Sequence, residues 1–309
     1  MKKCHLICNL ESGKGIKKKD IDTIINLIKS YDYDVTLHIT EKSGDATSIV
    51  KKIKTCDLVL SIGGDGTFNE IVTGNYQRKD KLLLSHIPVG TTNDIGTMLG
   101  MNKNIVKSVK DILNGTVKQM DIGLINDQPF IYVAGFGKFI NVPYETERKL
   151  KKSLGHLAYL INGFKEFFQI TKLYDIEYEI DGVKERGLFS LILISNANHI
   201  AGFNNIYKNV KLDDDKFEVL LCNFNRRKDI IKTFSLLMTI DATKVSGVEF
   251  YKTNNMKIEF EEYPKYSWCI DGEKLNRANL KYEIKNINKV KIMLPTKNIN
   301  KIFVNKKID

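Results

Sequence analysis

Three short stretches rich in glycine and acid carry the residue types that could do chemistry in this 309-residue sequence. The sharpest is Gly63-Gly64-Asp65-Gly66-Thr67-Phe68-Asn69-Glu70. It follows the apolar run Leu58–Ile62 and opens a stretch where Phe68, Ile71 and Val72 recur at helical spacing. Glycines let a backbone approach phosphate closely and take positive φ, and the unpaired amides of a new helix face an anion. An acid inside such a loop, Asp65, calls for a cation beside polyphosphate and points to Mg²⁺. The second stretch, Pro88-Val89-Gly90-Thr91-Thr92-Asn93-Asp94, follows the run Leu82–Ile87. Thr91 and Asn93 offer neutral hydrogen bonds. Asp94 adds a carboxylate suited to metal, water or a substrate hydroxyl, while Asn93 or Asp94 also reads as a helix cap. The third, Asn9-Leu10-Glu11-Ser12-Gly13-Lys14-Gly15, is a tight turn in which Lys14 can pair with phosphate. No Gly-Lys-Ser/Thr follows these glycines, and their spacing is not the dinucleotide fingerprint.

Two acidic turns lie in the second half. Asp271-Gly272-Glu273 follows Tyr266–Ile270 and reads either as a hairpin turn or as an acid placed to take a proton from an alcohol. Leu212-Asp213-Asp214-Asp215-Lys216 reads by itself as a solvated acidic turn.

Together these segments resemble the bacterial diacylglycerol-kinase-like family, along nearly the whole chain. The first stretch resembles its GGDGTxNE signature, whose GGDGT part is shared with NAD kinases and phosphofructokinase-like enzymes. The second resembles PxGTxND, a form NAD kinases do not normally carry. The third resembles NPxSGxG, with Leu10 in place of proline. The resemblance implies an ATP-dependent lipid kinase that uses Mg²⁺. It implies nucleotide contacts from Asn9, Leu10, Glu11, Ser12 and Gly13, from Thr40, from Gly63 through Glu70, and from Thr91. It implies catalytic roles for Asp65, Asp94, Asp271 and Glu273, with Glu273 as general base. It also implies a structural Mg²⁺ on the Asp214 carboxylate and the carbonyls of Lys211 and Lys216, although Asp215 stands where the family has glycine. Lys138 replaces an aspartate common just after Gly135-Phe136-Gly137. The expected acceptor is diacylglycerol, giving phosphatidic acid in phospholipid metabolism. Phosphatidylglycerol, a monoacylglycerol, a polyprenol or a sphingoid base is the alternative. A non-catalytic lipid- or nucleotide-binding regulator is a further one, and a homodimer is open.

The elements that must position these residues follow from periodicity. Through about residue 120, apolar runs alternate with helical patterns such as Ile21/Ile24/Ile25/Ile28 and Ile105/Val109/Ile112. That alternation predicts a doubly wound parallel sheet, with ligands at the strands' carboxyl ends. Beyond it strands follow strands, with turn signals at 127–129, at Asp181-Gly182 between Tyr174–Ile180 and Leu188–Ser195, and at Asn254-Asn255. The fold class is therefore α/β plus all-β. A nucleotide-binding domain over 1–120, joined by 298–309, is expected beside an antiparallel β-sandwich-like domain over 121–297, with the active site in the cleft between them.

Composition narrows the class further. Hydrophobic residues make up 42% and charged residues 28%, which describes a globular protein. The net charge of +11 suits anionic partners, whether ATP or an acidic membrane surface. Basic and aromatic residues form no nucleic-acid motif, so no nucleic acid is expected. Met1-Lys2-Lys3 does not continue as a signal peptide, and no apolar run reaches a membrane span. A cytoplasmic, peripherally membrane-associated protein is expected. A basic amphipathic helix over Lys149–Phe168 is predicted to face the core or a bilayer. The five cysteines lack metal or disulfide spacing and read as buried thiols.

Overall fold

The computed structural model describes residues 1–13, 15–137, 172–197, 199–200, 203–204, 210–224, 246–275, 278–297 and 299–304. The chain separates into two compact units, Met1–Met120 with Lys289–Asp309, and Asp121–Asn288.

The first unit alternates β1 (Lys2–Cys8), α1 (Lys18–Lys29), β2 (Tyr33–Ile39), α2 (Asp45–Lys52), β3 (Leu58–Gly63), α3 (Asp65–Tyr76) and β4 (Leu84–Pro88). A short α4 (Asp94–Met98) and α5 (Ile105–Leu113) follow. The strands lie parallel in the order β2-β1-β3-β4, and the far end of β18 (Lys281–Leu294) adds itself beside β4 at Ile292↔Leu84. β3 is buried along its whole length, which is why its sequence is an unbroken apolar run. α1 turns Ile21, Ile24 and Ile28 inward at helical spacing. Each such fully buried side chain stabilises the fold by about 1.5–3 kcal/mol. A final turn of helix, α6 (Ile299–Ile302), buries Ile299, and Phe303 follows it into the core.

The second unit holds antiparallel sheets. One contains β9 (Val183–Phe189), β8 (Tyr174–Ile180), β15 (Asn255–Phe260) and the near end of β18, in that order, with β5 (Thr116–Ile125) and β6 (Gln128–Phe130) pairing alongside. The other runs β14 (Val248–Thr253), β13 (Phe217–Cys222), β10 (Leu191–Ser195), β7 (Val133–Gly137), β16 (Cys269–Ile270), β17 (Glu273–Lys274). A two-stranded ribbon joins β11 (His199–Ile200) to β12 (Phe203–Asn204). Their shared core takes Tyr174, Ile176, Tyr178 and Ile180 from one face of β8 and Phe217, Val219 and Leu221 from β13, around the fully buried Trp268. Period-two alternation along β8 thus fixes which face is wet.

Two strand expectations need correction. Asp181-Gly182 does close a hairpin, with both residues at positive φ, but its second arm is β9 rather than Leu188–Ser195. Leu188–Ser195 splits at Ser190 into the end of β9 and the separate strand β10, which pairs with β7 and β13. β9 is mostly exposed and carries Lys184, Glu185 and Arg186, so it lacks the apolar alternation that marks a strand. Asn254, likewise, does not close a hairpin: β14 pairs with β13, whereas β15 pairs with β8 and β18.

The helix predicted over Lys149–Phe168, a second helical pattern of the sequence at about Lys228–Ile240, and Lys138 lie outside the described residues. No described helix is long and apolar enough to cross a membrane. None of the five cysteines forms a disulfide, and burial pushes the Cys4 and Cys8 thiols up to about 12 and about 11.

Candidate active site

Three loops leave the carboxyl ends of β1, β3 and β4 and lock together. The first begins at Asn9, whose N–H donates to Ile62 O at 2.9 Å, while its Oδ1 accepts the Glu11 N–H at 3.0 Å to make an Asx turn. Ser12 Oγ then accepts the Gly64 N–H at 3.1 Å, and Asn9 Nδ2 reaches Thr67 Oγ1 at 3.3 Å. Gly13 sits at φ +60°, and a Cβ there would stand 2.2 Å from Val89 O. The second and third loops touch backbone to backbone: a Cβ on Gly90 would lie 2.8 Å from Gly64 Cα. Glycine is required at these positions by contact as much as by conformation.

Asp65 joins the second loop to the third. Its Oδ2 accepts the Asp94 N–H at 3.0 Å and its Oδ1 the Ile95 N–H at 3.2 Å, so it caps α4 from outside that helix. Asn93 stands at φ +56° just before, with Nδ2 donating to Gly90 O at 2.8 Å. Its Oδ1 is buried with no hydrogen-bond partner among the described residues. Asp94 is 2% exposed. Asp65, the buried Asp94 and the unpartnered Asn93 Oδ1 offer oxygen donors, the ligand type that a hard divalent cation takes. Gly64, the N-cap of α3, has no side chain with which to cap the helix, and a helix N-terminus is a setting that suits an anion.

Other predicted nucleotide residues also have partners within the fold. The Glu70 carboxylate accepts N–H groups from Gly44 at 2.9 Å and Ala46 at 3.2 Å, and the Ser43 hydroxyl at 3.2 Å. It therefore fixes the start of α2. Phe68 is fully buried and stacks on His86 at 4.8 Å between centroids. Leu10 and Glu11 point to solvent, Thr91 is exposed, and Gly63 packs against the Thr67 side chain. Gly66 and Asn69 lie in the first turns of α3, and Thr40 N–H donates to Cys8 O at 3.0 Å.

In the second unit, Asp271 and Gly272 form the turn of the β16–β17 hairpin, with φ +47° and +90°. The buried Asp271 carboxylate accepts three backbone N–H groups, from Ile131 at 2.6 Å and from Tyr132 and Val133 at 3.0 Å each. Those three bonds tie the hairpin turn to the backbone of Ile131–Val133. Glu273, two residues on, is exposed.

The 211–216 loop is equally tied down. Asp121, fully buried, donates its N–H to Leu212 O at 2.7 Å and accepts the Asp215 N–H on Oδ2 at 2.6 Å. Asp215 adopts φ +63°, the left-handed region that glycine favours, so aspartate keeps the turn there. Asp214 Oδ1 accepts the Lys216 N–H at 3.2 Å, and its Oδ2 meets Lys252 Nζ at 2.8 Å. Lys252 also reaches Glu218 Oε1 at 3.2 Å. Glu218 is buried with Oε2 lacking a partner among the described residues, and burial raises its carboxyl to about 7 against the pull of Lys252. Neither Asp121 nor Lys252 was foreseeable from spacing, since each meets the loop from a strand distant in sequence, whereas Glu218 follows the loop directly on β13.

The chain matches the diacylglycerol kinase catalytic domain family over residues 3–125. It is 31% identical over 276 residues to a diacylglycerol kinase of Bacillus subtilis, covering 88% of this chain and 90% of that one. It is 32% identical over 275 residues to a diacylglycerol kinase of Staphylococcus aureus, covering 88% and 86%. The crystal structure of a diacylglycerol kinase from Bacillus anthracis superposes with a TM-score of 0.77 at 22% identity, covering 95% and 97%, and shares the fold. The matching catalytic-domain family and a similarity this extensive to those enzymes place the chain in the diacylglycerol kinase family, as a lipid kinase.

Proposed function

We propose that this protein transfers the γ-phosphate of ATP, with Mg²⁺, to the free hydroxyl of diacylglycerol, giving phosphatidic acid. The observation that carries the reading is the Asp65 bridge. One carboxylate holds the Gly64–Thr67 loop and the Asp94 loop in a single piece, so the start of α3 and the start of α4 are held together. The backbone of Gly64–Thr67 and the loop Asn9–Gly13 bind polyphosphate, with Thr40 and Thr91 completing the nucleotide contacts. Asp65, Asp94 and the Asn93 carbonyl would hold the divalent ion, which supplies neutralisation of charge on the transferring phosphoryl group. Glu273 takes the hydroxyl proton as the new P–O bond forms. Asp271 keeps the turn that presents it. The 211–216 loop would hold a structural cation at Asp214 and at the Lys211 and Lys216 carbonyls. The orphaned Glu218 oxygen nearby fits an added positive charge.

The protein is expected to work at an anionic membrane surface on the cytoplasmic side. Its charge is unevenly divided. Residues 1–120 and 289–309 carry 24 Lys and Arg against 14 Asp and Glu, whereas 121–288 carry 24 against 23. Attraction to acidic headgroups therefore comes from the nucleotide-binding unit.

Labelled ATP and a panel of lipid alcohols test the reading. Diacylglycerol should be the preferred acceptor, and Glu273→Ala should lose transfer while still binding nucleotide. Preference for another alcohol corrects the substrate, and full turnover in Glu273→Ala removes that residue from the mechanism.

A further inference from the structure

Lys252 holds one ammonium between two carboxylates of unequal standing. Its Nζ lies 2.8 Å from Asp214 Oδ2 and 3.2 Å from Glu218 Oε1. Asp214 belongs to the 211–216 loop, while Glu218 stands on β13, directly opposite Lys252 on β14. Glu218 is 3% exposed, and its Oε2 has no hydrogen-bond partner among the described residues. One positive charge thus serves two negative ones in a partly buried setting, and a buried carboxylate oxygen is left bare. Both conditions are costly as they stand.

We infer that Lys252 is the internal occupant of the Asp214 cation position, bridging Asp214 and Glu218 without metal and passing wholly to Glu218 when a divalent cation takes Asp214. This rests on reading 211–216 as a cation loop. The bare Glu218 oxygen makes the transfer feasible, because an ammonium leaving Asp214 finds a second acceptor there. With the cation in place each carboxylate has its own positive partner. The move needs only rotation of a flexible four-carbon stem, since the antiparallel pairing already sets Lys252 beside Glu218. Metal affinity is then a contest between the incoming ion and a resident lysine, and Glu218 decides how readily the lysine yields.

The two side chains should consequently act in opposite directions, which a merely structural role does not produce. Mn²⁺ binding to the nucleotide-free full chain, followed by electron paramagnetic resonance, reads this directly. Lys252→Met should tighten the Asp214-dependent site by about tenfold through loss of like-charge repulsion. Glu218→Gln should weaken it by a similar factor, because the ammonium has nowhere else to go. Lys252→Met leaves Glu218 unpaired, so the charge-balanced Lys252→Met/Glu218→Gln pair guards against misfolding. It too should bind more tightly than the native chain, with melting in chelator confirming the fold. Asp214→Asn defines the site by abolishing it. If both single variants shift affinity the same way, or neither does, while Asp214→Asn still abolishes binding, the hand-off is overturned and the cation loop stands. If Asp214→Asn binds Mn²⁺ as the native chain does, the cation loop itself is wrong.

Discussion

His86 makes the first unit acid-sensitive by a calculable amount. It lies on β4, fully buried under Phe68, and neither ring nitrogen has a partner among the described residues. Burial disfavours the charged imidazolium and lowers its pKa from 6.5 to about 3. The neutral ring is native, so the unfolded chain binds a proton that the folded chain refuses. Stability from this group is therefore full above the unfolded value, and it falls as pH drops through 6.5 toward 3. Between pH 7 and pH 5 the loss is about 2 kcal/mol, or about 6 °C in the melting temperature of a unit this size. His86→Leu removes the titration and should flatten that part of the profile. Comparing the two proteins cancels the other titrating groups. These include His5 and His38, stacked at 5.2 Å with pKa values also lowered by burial. The assay is thermal unfolding of both chains at pH 7 and pH 5. A melting-temperature difference that stays the same at both pH values would refute the assignment of His86 as a buried neutral ring.

Three further outcomes are expected. Asp65→Asn should destabilise the first unit by about 2–4 kcal/mol, because an amide group would face the Ile95 or Asp94 N–H, and it should abolish divalent-dependent transfer; denaturant unfolding and a metal titration measure the two effects. Glu70→Ala should cost about 1–2 kcal/mol through loss of the α2 cap, yet leave nucleotide affinity within about threefold, as calorimetry would show. Gly13→Ala should weaken nucleotide binding by at least about tenfold, since its methyl group would overlap Val89 O and the backbone is at φ +60°; unchanged affinity would mean the loops do not need their close contact.

Much of the first unit was legible because its strands are buried on both faces and its helices on one. Leu58–Ile62 could be little but an interior strand, and Ile21, Ile24 and Ile28 had to share a helix face. The loops were legible for a related reason, since glycine and acid together are rarely tolerated between such elements without a task. What stayed hidden depends on long-range partners. Glu70 reads as part of a signature, and only the fold shows it capping α2. Asp271 reads as a turn residue or a catalyst, yet its carboxylate is held by amides some 140 positions away. β9 was missed because an edge strand dressed in charge carries no apolar period. Asn254 misled because a two-residue turn signal does not say which sheet the chain enters next.

The cross-linking of the three loops bears on the thermodynamics of nucleotide capture. Asn9 already holds Thr67, Ser12 holds Gly64 and Asp65 holds Asp94 through side-chain hydrogen bonds. Little chain freedom remains there to be surrendered when triphosphate arrives, so association should show a small ordering penalty and a modest heat-capacity change. A cradle assembled in advance devotes its attraction to holding the ligand rather than to shaping itself.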